Sequence, residues 1–316
     1  MEVHVCTVQL AAGKASLLGK TTLSSPDRYS NLDLPALGGL AQHDWCVSQL
    51  HHQNPVIVSS DGRVTSRDVG PGLKHYGRRN KLQWCHTLHY MMVPRSVVAL
   101  VSFPGSGNTW VRYLLQQATG IYTGSVYKDY GLLKNGFAAE SVVNGSVSVV
   151  KTHEWGKEAR KPFDKAVLLV REPGPAIQAE FNRQSGGHIG FASPDRYRRN
   201  KGKYWQQFVT DKLAAWKHTN LDWLHNFTGP IHIIMYEKLI YNLDHELQKL
   251  LNFLDLKVIP HDFQCALERR EGIYRRKKRV INFDPYTSTM KAALNKEWEI
   301  VYEAINDIVK DIDNKR

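Results

Sequence analysis

A chain of 316 residues, 42% hydrophobic and 23% charged, can bury one substantial core, and this ordinary globular composition excludes a protein that is disordered throughout. The formal net charge of +12 favours anionic partners (a nucleotide, an acidic glycan, nucleic acid or an anionic membrane) without choosing among them, and a basic surface that serves solubility alone stays open. No apolar run approaches the length of a membrane span, and Cys6, Cys46, Cys85 and Cys265 include no close pair of the kind that holds zinc, so no metal is expected.

Residues 1–78 are rich in Ser, Gly, Asp and Pro and have little periodicity, which predicts an irregular or disordered segment. Gly62, Gly70, Pro71 and Gly72 make the stretch up to Arg79 read as a linker. The opening Met1-Glu2-Val3-His4 has neither a basic leader nor a clean apolar stretch behind it. Residues 79–316 read as one domain.

From Val97 onward short apolar runs alternate with helical patterns. Strands are predicted at Val97–Phe103, Ser146–Lys151, Ala166–Arg171 and Ile231–Tyr236, each a run of β-formers suited to burial on both faces. Helices are predicted at Asn108–Thr119, Pro173–Arg183 and Tyr204–Asn226, then at Lys238–Leu254, Pro260–Glu268 and Thr287–Ile312. Leu239, Leu243, Leu247, Leu250 and Leu254 recur at helical spacing and read as core. The order predicts a three-layer α/β fold with a central parallel sheet and right-handed crossovers, with ligands at the carboxyl ends of the strands.

The first strand runs into Phe103-Pro104-Gly105-Ser106-Gly107-Asn108-Thr109-Trp110 and then a helix. A glycine turn between strand and helix aims main-chain N–H groups and the positive helix end at one point, which suits a phosphate. The nucleoside-triphosphate loop requires lysine and Ser/Thr after its last glycine; here Asn108 follows Gly107, which argues against a kinase or NTPase.

The second strand ends in Val149-Val150-Lys151-Thr152-His153-Glu154. Strand alternation sends Lys151 and His153 to one face and Thr152 and Glu154 to the other. A lysine beside a histidine at this edge suits transfer of a charged group, with the imidazole taking a proton from an alcohol and the ammonium offsetting charge on a leaving oxygen. A purely structural histidine is the alternative, and Glu154 is the second candidate base. The third strand delivers Arg171 beside a helix begun by Pro173, where a guanidinium can grip a phosphate through paired hydrogen bonds; an ion pair with Glu172 is the alternative. Residues 269–279 are the densest basic run, and residues 184–203, with Gly186, Gly187, Gly190 and several cations, read as a lid over an acceptor or a plain surface loop.

Pro-Gly-Ser-Gly-Asn-Thr-Trp at 104–110 resembles the 5′-phosphosulfate loop of sulfotransferases that use 3′-phosphoadenosine-5′-phosphosulfate (PAPS). With Gly105 where cytosolic sulfotransferases carry lysine, it is most similar to the sulfotransferase domain of the WSC-domain-containing (WSCD) family, from about Trp84 onward. The resemblance implies a P-loop-like sulfotransferase domain in which Gly105, Ser106, Gly107, Asn108 and Thr109 hold the 5′-phosphosulfate and Trp110 stacks on adenine. Lys151-Thr152-His153 is similar to the family's catalytic segment, which implies His153 as general base and Lys151 as transition-state cation. Arg171 matches the 3′-phosphate arginine, although Ala179 stands where many members carry serine. Arg270 and Gly272 fit a late loop that closes over the 3′-phosphate, with Glu271 in place of its lysine and Arg275 in place of a second glycine; Tyr236 fits a position near the base. Core roles for Trp110 and Tyr236 are the alternatives.

The implied partners are PAPS and a carbohydrate acceptor, in this family a sialylated glycan, and not nucleic acid. The resemblance implies a Golgi lumen location for a membrane-anchored family with cysteine-rich modules before the enzyme domain; this sequence shows neither anchor nor modules. In an oxidising lumen Cys85 and Cys265 can pair, and free buried thiols are the alternative. The sequons Asn144-Gly145-Ser146 and Asn226-Phe227-Thr228 fit such a location. An enzyme fold kept only for binding glycans or polyanions is the rival function, since Gly105 and Ala179 both depart from the wider family.

Overall fold

The computed structural model describes residues 82–273 and 283–314. The expected irregular segment 1–78 and the late basic run from Arg275 to Arg279 lie outside the described residues. Among the described residues five strands form one sheet: β1 (Val98–Ser102), β2 (Gly124–Ser125), β3 (Val150–Thr152), β4 (Lys165–Val170) and β5 (Ile231–Met235). Their order is β2-β3-β1-β4-β5 and every pairing is parallel. β1 is central, with Ala99 opposite both Val150 and Ala166, and all five of its residues are buried.

The helices are α1 (Asn108–Thr119), α2 (Tyr130–Leu133), α3 (Lys157–Arg160), α4 (Pro173–Gly186), α5 (Pro194–Arg198), α6 (Lys203–Asn226), α7 (Tyr236–Tyr241), α8 (Leu243–Phe253), α9 (Pro260–Glu268) and α10 (Ser288–Asn314). Alternation along the strands splits the core in two. Ala99, Val101, Val150, Ala166, Leu168 and Val170 pack against Ile177 and Phe181 of α4, Trp216 and Trp223 of α6, and Val301 and Ile305 of α10. Val98, Leu100, Val167, Leu169 and Ile234 pack against Val111, Leu114 and Leu115 of α1 and the leucines of α7 and α8. The three-layer α/β expectation therefore holds. No helix among the described residues is long and apolar enough to cross a membrane.

Three local expectations change. The second strand was expected from Ser146, yet it begins at Val150. The helix expected at Lys238–Leu254 is two, because Asn242 has φ −137° and is not helical; Leu239, Leu243, Leu247, Leu250 and Leu254 are nonetheless all buried. The segment 184–203 is not an open loop: it holds α5 and a short 3₁₀ turn at Arg199–Gly202.

Two ties secure α1. Arg112 pairs with Glu140 at 2.6 Å, both side chains wholly buried, and donates to Thr123 Oγ1 and the Thr123 carbonyl, so the pair has the extra hydrogen bonds that buried charges require. Cys85 is disulfide-bonded to Cys265 of α9 across 180 residues of chain, which decides between the two readings of these cysteines. The Cys85 N–H also donates to Gln117 Oε1 on α1 at 2.8 Å. Opening this cross-link with reductant, or by Cys265→Ser, is expected to cost about 2–4 kcal/mol, because so long a loop otherwise restricts the unfolded chain. Urea unfolding followed with and without reductant checks it; coincident midpoints would refute the stabilising role.

Candidate active site

The chain leaves β1 towards β2 and β3 on one side, then crosses to β4 and β5 on the other. Ligands of open α/β sheets sit at such a reversal, at the carboxyl ends of the strands. Here the loop after β1 and the residue after β4 meet: Arg171 Nη1 donates to the Gly105 carbonyl at 2.8 Å.

The loop needs its glycines. Gly105 has φ +87°, and a Cβ there would stand 2.4 Å from the Ala176 carbonyl and 2.9 Å from the Glu180 nitrogen, both backbone atoms of α4. Gly107 has φ +99° and caps α1; a Cβ there would meet the Tyr236 ring at 2.7 Å. The first-turn N–H groups of α1, from Asn108 and Thr109, have no acceptor within the helix. Among the described residues the Ser106 hydroxyl and Arg171 Nε are buried without hydrogen-bond partners. A cradle of glycines, helix-end N–H groups, an unpaired hydroxyl and an arginine fits a phosphate-bearing ligand. Asn108 contributes differently: its side chain is buried and its amide donates to the Leu100 carbonyl and to Ser102 Oγ, stapling helix to strand.

Tyr236, Trp110, Arg270 and Gly272 gather around the start of α1. Tyr236 lies under the Arg171 guanidinium, 4.3 Å from ring centroid to Cζ, and edge-on to Trp110 at 6.1 Å. The Trp110 indole N–H donates to the Arg270 carbonyl at 2.7 Å, and the Tyr113 hydroxyl donates to the Arg269 carbonyl at 2.6 Å. Gly272, at φ +56°, lies so close to the Tyr113 ring that a Cβ would be 3.0 Å away. The structure thus brings Arg270 and Gly272 to the first turns of α1, 160 residues from Trp110 in the case of Arg270. Arg171 itself is fixed from behind by Trp216, whose indole donates to the Arg171 carbonyl at 3.0 Å.

His153 and Lys151 stand beside the cradle. His153 Nδ1 lies 2.6 Å from the Ser102 carbonyl oxygen. A carbonyl only accepts, so Nδ1 carries the proton and Nε2 keeps its lone pair. Burial and the nearby Lys151 ammonium push the His153 pKa down to about 3, against support from Ser102 and Glu180. Lys151 is 7% exposed, and burial followed by Arg112 brings its pKa down to about 8. No carboxylate comes within salt-bridge distance of its Nζ among the described residues.

Regular strand geometry ends at Thr152, so the alternation expected to turn Glu154 away stops short of it. Glu154 Oε1 instead accepts a hydrogen bond from the Tyr127 hydroxyl at 2.7 Å. Three features escaped sequence reasoning: Tyr127; the Asp129–His188 pair at 2.9 Å, which ties residues 184–203 to the start of α2; and the Arg183–Glu180 pair at 2.6 Å on α4. Asp129 is held below the usual carboxylate range by His188 despite its burial. Pro194 after Ser193, a helix-start signal, was the one cue that segment 184–203 has structure of its own.

A WSCD family member of Aedes aegypti is 55% identical over 267 residues, spanning 77% of this chain and 83% of that protein. The chain belongs to the WSCD family. Two Drosophila WSCD members agree: one of D. melanogaster at 61% identity, over 66% of this chain and 65% of its own, and one of D. pseudoobscura at 53%, over 72% and 80%. No family model matches the sequence. Among solved structures, this WSCD chain is similar to a mouse sulfotransferase complexed with PAP, at 14% identity and TM-score 0.44, covering 67% of this chain and 88% of that one.

Proposed function

We propose that the protein is a PAPS-dependent sulfotransferase acting on a carbohydrate hydroxyl, with sialylated glycans as the acceptor class. The observation that carries the reading is the joined cradle, in which Arg171 meets the Gly105–Gly107 loop at the sheet's switch point while the Ser106 hydroxyl and Arg171 Nε have no partner among the described residues.

When bound, PAPS supplies a sulfate activated by a phosphate leaving group. The Ser106 hydroxyl and the N–H groups of Asn108 and Thr109 hold the 5′-phosphosulfate, with Gly105 and Gly107 allowing close approach. Arg171 takes the 3′-phosphate, with Arg270 and Gly272 closing beside it. Trp110 and Tyr236 wall the base. His153 Nε2 accepts the proton of the acceptor hydroxyl, its tautomer fixed by Ser102. Lys151, charged below about pH 8, offsets negative charge on the bridging oxygen. Positioning and charge supply most of the rate, as in phosphoryl transfer. Exposed Arg198, Arg199, Lys201 and Lys203 favour an acidic acceptor. A Golgi lumen location suits the Cys85–Cys265 bond and the exposed sequon residues Asn144 and Asn226.

Calorimetry with 3′,5′-adenosine bisphosphate is expected to give binding that is indifferent to Mg²⁺, and labelled sulfate is expected to pass from PAPS to a sialylated member of a glycan panel. No binding, or Mg²⁺-dependent binding of ATP instead, would overturn the reading. Binding without transfer to any glycan would make the protein a binding module.

A further inference from the structure

Tyr127 touches every chemical group at the end of β3. It follows β2, where its backbone N–H donates to Ser125 Oγ at 3.1 Å and its carbonyl accepts from the Ser141 N–H at 2.8 Å, so its place is fixed from both sides. Its hydroxyl donates to Glu154 Oε1 at 2.7 Å and accepts from the His153 backbone N–H at 2.9 Å. Its ring stacks on the His153 imidazole, centroids 5.7 Å apart and 26° between planes, and Lys151 Nζ lies 5.5 Å from the ring centroid.

We propose that Tyr127 is a positioning residue that aims the His153 imidazole and holds the Glu154 carboxylate away from proton transfer. The proposal rests on the sulfotransferase reading for its kinetic consequence, but its electrostatic consequence is independent of that reading. Tyr127 does not react. Burial first, then Glu154, raises its pKa well above the ordinary phenol value, so it remains a donor at every working pH. A carboxylate that accepts this hydrogen bond is directed at the phenol instead of the imidazole. The ring face limits rotation of His153 about its side-chain bonds, while Ser102 fixes its tautomer. The groups acting on the imidazole are then Lys151 from β3, Ser102 from β1, Glu180 and Arg183 from α4, and Tyr127 with Glu154 in its grip.

Tyr127→Phe tests this because it keeps the ring stack and the contact with Lys151 and deletes only the hydroxyl. The variant is expected to bind 3′,5′-adenosine bisphosphate as the wild type does and to turn over about tenfold to a hundredfold more slowly. Its released Glu154 is expected to stabilise the imidazolium. The His153 titration, followed by NMR of a ¹⁵N-histidine-labelled protein, therefore moves to higher pH, and Tyr127→Phe/Glu154→Gln moves it back. An unchanged His153 titration in Tyr127→Phe would overturn the proposal, as would lost thermal stability and nucleotide binding with no titration shift, the signature of a merely structural role. If the wild type neither binds the nucleotide nor transfers sulfate while the titration shift and its reversal persist, the sulfotransferase reading falls and the positioning role stands.

Discussion

Gly105→Lys is expected to abolish donor binding, although lysine is the residue that cytosolic sulfotransferases carry at this position. The backbone there has φ +87°, and the first side-chain carbon would stand 2.4 Å from the Ala176 carbonyl and 2.9 Å from the Glu180 nitrogen. Those are main-chain atoms of α4, a helix whose Ile177 and Phe181 are buried in the core, so neither can step aside cheaply. Backbone strain and overpacking each cost about 1–3 kcal/mol, and the loop relieves them by moving away from Arg171. Gly105→Ala should fail almost as badly, since the Cβ does the damage and the charge does not matter. Calorimetry with 3′,5′-adenosine bisphosphate and a thermal melt read both effects. Affinity retained or improved by the lysine would mean that the loop adopts another conformation. Under the proposed function the positive charge near the transferred group comes from Lys151 on the neighbouring strand.

His153→Ala should lower turnover by about 10²–10⁴-fold while nucleotide affinity stays within a factor of about two, because the imidazole hydrogen-bonds Ser102 and reaches the cradle only through it. The pH dependence gives a second signature. With a pKa pushed down to about 3, His153 is neutral throughout the working range of the free protein. The acid limb of kcat/KM then falls well below the ordinary histidine value of about 6.5. The alkaline limb should follow Lys151 and fall off above about pH 8, as the ammonium is lost. Negative charge brought into the cradle stabilises the imidazolium, so the acid limb of kcat, which reports the bound state, should lie higher than that of kcat/KM. Linkage follows the same sign. The unfolded chain takes up a proton on His153 as pH drops below about 6.5 and the folded chain does not until about 3, so this residue removes stability progressively across that window. Wild-type turnover in His153→Ala would hand the base role to another group, Glu154 first.

Where the sequence carried punctuation, the fold was legible. Asn108–Thr119 has the bounds expected, because Gly107 and Gly120 adopt left-handed conformations at its two ends. Pro173 and Pro260 likewise mark the helix starts they were read to mark. β2 escaped because two residues, Gly124 and Ser125, carry no period. The break at Asn242 escaped because Leu239, Leu243 and Leu247 keep a helical spacing across it. In the site, residues at strand ends were legible, since a strand's carboxyl edge is a predictable place; Lys151, His153 and Arg171 stand there. Tyr127, Asp129 and His188 come from connections, and only the packing of distant segments brings them together. The Cys85–Cys265 bond was undecidable for the same reason, with 180 residues between its ends.

The central position of β1 has a consequence for biosynthesis. Its ladders run to Val150–Thr152 and Lys165–Leu169, which leave the ribosome long after it does. Until they arrive, Val98-Ala99-Leu100-Val101 is an apolar stretch with open edges on both sides and nothing to pair with. Parallel sheets with such distant partners assemble slowly and expose sticky intermediates. The nascent chain therefore passes through a period in which this central strand is made but unpaired, and aggregation competes with folding.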